Sequence, residues 1–199
     1  MENLHIVNLS QYNKPQIKED KRRDWVAYGD DNNYYQYLID LYINSTTNNA
    51  VINGISNMIY GKGLDALDSS TKTDEYAALR SIVHNDCLKK IALDLKLLGE
   101  ASFQIIYQDA RVVRAEHFPR QTLRAEKYND DGDIEAYYYH ANWEKLKNNE
   151  KPERIPAFGF GNGKSSEIYI VKKYVSGYDY YCPVDYQGGL AYAELESEI

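Results

Sequence analysis

The hydrophobic pattern of this chain changes period at Gly99. Up to Leu98 the apolar residues recur every three or four positions, the spacing of one helix face. From Ala101 they alternate, as on a half-buried strand. A chain that writes its helices first and its strands afterwards folds as α+β, with the helices gathered on one side of the sheet. The prediction is about three N-terminal helices packed on a mainly antiparallel sheet.

The first helix is expected in "YGDDNNYYQYLIDLYINS". Gly29 makes a turn, Asp30 to Asn33 offer capping side chains, and Tyr34, Leu38, Leu41 and Tyr42 follow at helical spacing. Capping chemistry returns in "NSTTNN", and a second helix carries the stripe Val51, Ile52, Ile55, Met58 and Ile59. That stripe reads as core packing, Gly54 as a site of close helix approach, and Gly61 and Gly63 as the stop. A third, longer helix is expected from Asp74 to Leu98, capped by Thr73. Its buried side is marked by Tyr76, Leu79, Ile82, Val83, Leu88, Ile91, Leu95 and Leu98.

In the second half, Asp109-Ala110 separates "ASFQIIYQ" from "RVVRAEHF" as a tight hairpin turn. A second hairpin is expected across "NDDGD", between "QTLRAEKY" and "IEAYYYHAN". Two further strands are read around Ser176-Gly177 in "EIYIVKKYVSGYDYYCPVDY", ending at Pro183. The domain reading follows: an extended arm over 1–24 with a short strand in "LHIVNL", a helical part over 25–100, a β part over 101–187, and a helix start over 188–199. The glutamate-rich "GGLAYAELESEI" has no capping or turn signal at its end, so it reads as the first turns of a longer helix cut short.

Motifs for chemistry fail one by one. Gly163-Lys164-Ser165 ends like a phosphate-binding loop, but the required first glycine falls on Phe158, and "EIYIVKKYV" continues as a strand where a helix is needed. The reading is a glycine-rich loop between two strands. Aligning Gly132 with the glycine of a calcium loop puts Lys127 and Tyr138 at ligand positions, wrong for a hard cation. His5, His84, His117 and His140 are scattered, Cys87 and Cys182 make neither a disulfide framework nor a zinc spacing, and Ser56 lacks the elbow's second glycine. Glu116 and His117 adjoin, yet strand neighbours face opposite ways. Asp30 and Asp31 read as helix caps. No catalytic, cofactor-binding or metal residue is named, no cofactor is expected, and the chain is read as a non-enzyme.

Net charge is −7, so a dominant DNA-gripping surface is not expected; the basic "KEDKRRD" is broken by Glu19, Asp20 and Asp24. No secretory signal pattern opens the chain and no apolar run reaches spanning length, which points to an intracellular origin. The composition anomaly is 20 tyrosines against 4 phenylalanines. Tyrosine suits half-buried sheets and subunit interfaces, and an AT-rich gene produces the same bias.

The order of segments resembles the portal proteins of bacteriophages, especially phages and prophages of Bacteroidetes-type hosts. The resemblance rests on "WVAYGDDNNYYQYLIDLYINSTTNNAVINGISNMIYGKGL", on "LKLLGEASFQIIY" at the helix-to-strand junction of the wing region, and on "YDYYCPVDYQGGLAYAELESEI". It covers Trp25 to Ile199. It implies a wing-like module of a longer portal protein, C-terminally truncated before the stem, clip and crown. The intact protein would form a ring, typically dodecameric, at one capsid vertex, through which double-stranded DNA is packaged and ejected. Implied partners are other copies of itself, capsid, terminase and tail or adaptor proteins, and DNA passing without sequence specificity; no membrane is involved. The implied location is the virion, and the host cytoplasm during assembly. The strands "AYYYH" and "YDYYC" are expected to expose tyrosine faces to neighbouring subunits. The rival expectation is a monomeric enzyme or small-ligand-binding domain whose site, assembled across the sheet, uses Glu116, His117 and Cys182.

Overall fold

A computed structural model describes residues 15–147 and 150–198. It is an α+β fold. The strand expected in "LHIVNL" lies outside the described residues. Strands β1 (Ile17–Glu19) and β2 (Val26–Tyr28) pair antiparallel, so the segment read as an arm enters a sheet before residue 24.

Four helices follow: α1 (Tyr34–Asn44), α2 (Thr46–Tyr60), α3 (Thr73–Ile82) and α4 (Asn85–Leu98). Ser45 alone separates the first two. Its N–H donates to the Leu41 carbonyl, and its hydroxyl accepts from Asn48 N–H at the start of α2. The third expected helix is broken in two. Val83 and His84 adopt extended backbone, and His84, with no breaker residue beside it, becomes the N-cap of α4. The α3 N-cap is Lys72, and Thr73 is already helical. Asp74 and Glu75 in its first turn and Arg80 in its last complement the helix dipole.

Gly99 closes α4 in the left-handed region (φ 80°) and leads straight into β3 (Glu100–Gln108). β3 pairs antiparallel with β4 (Arg111–Phe118) across Asp109-Ala110, both at positive φ (50° and 59°), the two-residue turn whose twist matches a hairpin. β5 (Leu123–Ala125), β6 (Ala136–Tyr139) and β7 (Glu153–Pro156) form a second antiparallel sheet, and β8 (Glu167–Lys172) pairs with the free side of β3. Single bridges, Trp25 to Glu126 and Ala157 to Ile168, connect the three small sheets edge to edge. The second strand expected around Ser176-Gly177 does not form. Residues 173–186 run irregularly to α5 (Leu190–Ser197).

The main core joins α1, α4, the sheets and this irregular segment. It includes Tyr28, Tyr35, Leu38, Leu98, Leu123, Ile168 and Tyr181. Here the tyrosine expectation is corrected. Tyr137, Tyr180 and Tyr181 are buried, and the rings of Tyr180 and Tyr181 stack on Tyr128 and Tyr28 while their hydroxyls reach buried or half-buried partners. Tyr28 and Tyr181 stack at 4.3 Å between ring centroids. The α2 stripe is corrected in the other direction: Ile52 is buried, but Val51, Met58 and Ile59 face solvent. Gly54 has open space where a side chain would stand, so no helix approaches there.

Candidate functional site

The polar centre of the molecule is a buried ion pair, reached from the sequence through Gly99. A side chain at Gly99 would collide with the Cys182 and Pro183 carbonyls at 2.8 Å, so glycine lets residues 182–183 cross the α4–β3 junction. The next residue, Glu100, is fully buried. Its Oε2 accepts from Arg120 Nε (3.2 Å) and Nη2 (3.0 Å), and its Oε1 accepts from Tyr35 hydroxyl (2.9 Å) and Cys182 N–H (3.0 Å). Arg120 Nη1 donates to the Leu123 carbonyl, and its guanidinium lies 5.1 Å from the Tyr35 ring centroid.

Arg124 is a second buried guanidinium, but its contacts are neutral. It donates to the Asn32 side chain and carbonyl and to the Gln121 and Leu123 carbonyls, under the Trp143 ring at 4.9 Å. Asn32 reaches it from a left-handed backbone (φ 59°), its Oδ1 also accepting from Tyr28 N–H at 3.2 Å. So the side chains of "GDDNN" do not cap α1: Asn33 is its N-cap, but its side-chain amide donates to Glu144 and not to the helix, and Asp30 pairs with Lys18 at 2.8 Å.

Burial dictates the charge states. Desolvation lowers Arg124 to about 10. On Arg120 burial acts the same way, but the Glu100 carboxylate outweighs it and holds the guanidinium above its ordinary value. Burial pushes Tyr35 well up and Tyr181 to about 12. The buried groups of this centre bond to one another: Arg120 and Tyr35 to Glu100, Arg124 to Asn32.

The three residues of the rival site are held apart in their bonding. Glu116 accepts from Arg114 (2.9 Å) on the exposed side of β4. His117 Nε2 meets Asp94 Oδ2 (2.8 Å) of α4 on the other side. Cys182 is buried against the Glu100 centre, and burial raises its thiol, as it does that of Cys87. Among the described residues, no group of three or more His, Cys, Asp or Glu side chains is placed to hold a metal ion.

The glycine-rich loop joins β7 to β8, and the N–H groups of Phe158, Gly159, Phe160, Lys164 and Ser165 are bonded within the protein. Gly159 N–H donates to Glu167 Oε2 (3.0 Å), beside the Tyr107 hydroxyl (2.9 Å). Lys164 and Ser165 N–H turn onto Asn162 Oδ1. A phosphate loop aims such groups outward at the anion and opens a helix. This loop does neither. It presents Phe158 and Phe160, each about half exposed.

Glu100, Arg120 and Arg124 are missed from the sequence, and Asn32 is read there only as a capping residue. A signal existed for Glu100, a carboxylate inside the apolar run "LLGEASF".

No protein-family model matches the sequence, and no curated protein does. Its fold is similar to that of a chain in a solved structure, the neck of an empty GTA particle computed with C6 symmetry. The TM-score is 0.64 at 10% identity, over 83% of this chain and 44% of that one. The chain therefore spans less than half the length of this neighbour. At that identity the likeness establishes a shared fold.

Proposed function

We propose that the chain is the wing-like part of a portal subunit, a structural component of the head–tail junction of a phage-like particle. The observation that carries this reading is the shared fold with a chain of a particle neck, over 83% of the present residues. The order of segments, which resembles that of portal proteins, supports the same reading. In this reading copies form a ring around the DNA path. A dodecamer is compatible with the six-fold symmetry of the neighbour, because a twelve-fold ring contains a six-fold axis. Partners are capsid, tail and terminase proteins, and the work of packaging falls to the terminase. An acidic chain suits a conduit, since each phosphate held by a cation would retard sliding. Among the described residues no helix is long and apolar enough to cross a membrane. The rival reading of a monomeric enzyme or ligand-binding domain draws no support from Glu116, His117 and Cys182, which serve separate contacts.

The test is antibody labelling. Antibodies raised against this chain, applied to particles released from cells that carry its gene, are expected to mark a single site at the neck. Label spread over the capsid, or particles carrying no trace of the chain by mass spectrometry, would overturn the proposal.

A further inference from the structure

At three places the backbone stands ready to attack the side chain of the residue before it: Asn53-Gly54, Asp131-Gly132 and Asn162-Gly163. In such a pair the glycine nitrogen approaches the preceding Cγ without a side chain of its own to crowd it. The sequence treats the three alike, but the structure separates them.

At Asn53-Gly54 the attack is blocked twice. The pair lies inside α2, where the Gly54 N–H belongs to the helix ladder. The Asn53 side chain is held at both ends, its Oδ1 accepting from the Tyr42 hydroxyl (2.9 Å) and its Nδ2 donating to Asn49 Oδ1 (2.8 Å). At Asp131-Gly132 the nitrogen is also engaged, because Gly132 N–H donates to the Asn129 carbonyl (3.1 Å).

Asn162-Gly163 differs on each count. Asn162 is exposed in the β7–β8 loop, and among the described residues neither the Gly163 N–H nor Asn162 Nδ2 has a hydrogen-bond partner. Asn162 Oδ1, by contrast, accepts from Lys164 N–H (2.9 Å) and Ser165 N–H (3.4 Å). Both donors are aimed at the oxygen on which negative charge develops when Cγ is attacked. Backbone N–H groups fixed in that way stabilise a tetrahedral intermediate. Nucleophile and leaving group are free, and the oxygen between them is held.

We propose that Asn162 is a site of spontaneous deamidation, favoured by the folded loop. The Gly163 nitrogen gives its proton to solvent and bonds to Cγ. The Cγ–Nδ2 bond breaks, and Nδ2 leaves as ammonia, which closes a five-membered succinimide. Water then adds to one of the two ring carbonyls and opens it, giving aspartate or, through the other carbonyl, isoaspartate. One water enters and one ammonia departs, with no oxidant and no cofactor. Either product adds a negative charge at the end of Ala157–Gly163, a stretch with no charged residue. Isoaspartate also lengthens the backbone by one carbon where the loop passes Ala110, 3.8 Å from the place of a Gly163 side chain, and so shifts it against the β3–β4 turn.

Peptide mass spectrometry tests the proposal on the full chain, incubated in mildly alkaline buffer both folded and in guanidinium chloride. Deamidation raises a peptide's mass by the difference between an oxygen and an NH group. In the folded chain Asn162 should react about tenfold or more faster than Asn53, where helix must open first. In denaturant the two should react at similar rates, and Asn162 should be no faster there than when folded. Equal rates at the two sites in the folded chain, or a slower Asn162 folded than denatured, would overturn the proposal. So would a difference between the sites that persists unchanged in denaturant, since it would owe nothing to the fold. Asn162→Gln should remove the acidic species that accumulates on isoelectric focusing. Its persistence in that variant would put the new charge elsewhere and discard the site.

Discussion

Arg120 and Glu100 meet with no solvent exposure on either side chain, two guanidinium nitrogens sharing one carboxylate oxygen at 3.2 and 3.0 Å. Glu100 stands at the helix-to-strand switch and Arg120 in a short turn of 3₁₀ helix before β5, so the pair ties one half of the β structure to the other. Removing one partner strands the other as a buried, unpaired charge. Glu100→Ala is expected to cost about 3–5 kcal/mol in urea denaturation. Glu100→Met with Arg120→Leu should cost less than Glu100→Ala alone, because no charge is then left behind. A single substitution costing under about 1 kcal/mol would place the pair among ordinary surface bridges.

Alkaline pH attacks the same core. Tyr35 and Tyr181 have folded pKa values raised by burial, Tyr181 to about 12, while the unfolded chain ionises near 10. A raised pKa gives stability that is complete below the unfolded value and is lost as pH climbs through the folded one. Arg124, lowered to about 10, works in the opposite direction above that pH but is a single group. Stability should fall between pH 10 and 12, with tyrosinate absorbance appearing together with loss of circular dichroism. Smooth ionisation of every tyrosine near pH 10 with the fold intact would contradict the buried cluster.

Glu196 fastens α5 to the start of α2. Its carboxylate accepts from Ser45 Oγ (2.6 Å), Thr47 N–H (3.1 Å) and Thr47 Oγ1 (3.0 Å). The Ser45 bond is the main reason its pKa is lowered. A lowered carboxylate pKa gives stability present above the unfolded value, near 4.3, and lost as pH falls through the folded one. Glu196→Gln should raise amide exchange in residues 190–197 at neutral pH, and acid should do the same to the parent chain. Unchanged exchange in both would show that the apolar contacts of Leu190 and Ala193 hold α5 unaided.

Gly161→Ala pushes a methyl group into the Glu167 carboxylate, which the core holds in place. A loss of about 1–3 kcal/mol is expected in thermal denaturation. Gly188→Ala, where nothing lies within 4 Å, is the matched control and should be near neutral. Equal effects of the two would remove the carboxylate from the account of the loop.

What was legible in the sequence was local. The change of period at Gly99 marked the helix-to-strand switch, and Asp109-Ala110 marked a hairpin without the usual glycine, because alternation on both sides left no other register. The β7–β8 loop is legible in the sequence because its glycines are out of phase for a phosphate loop. Local pattern failed where side-chain identity had two meanings. The break at Val83-His84 carries no proline or glycine, so the stripe ran through it. "YDYYC" alternates like a strand, yet Tyr180 and Tyr181 enter the core from irregular backbone, because their hydroxyls find partners at Tyr128 N–H and the Val26 carbonyl.

By itself, then, the sequence determined the class of fold, the helix-to-strand switch at Gly99 and the hairpin at Asp109-Ala110, which follow from spacing along the chain. Tertiary structure decided which apolar stripe is core and which is surface, and which charges are buried. The α2 stripe and the α4 stripe have the same spacing. Only the packing of α4 against β3, which covers one and not the other, leaves Met58 in water and Ile91 in the core. The partnership of Glu100 with Arg120 likewise joins residues twenty positions apart, and it exists only once Gly99 has turned the chain from helix to strand.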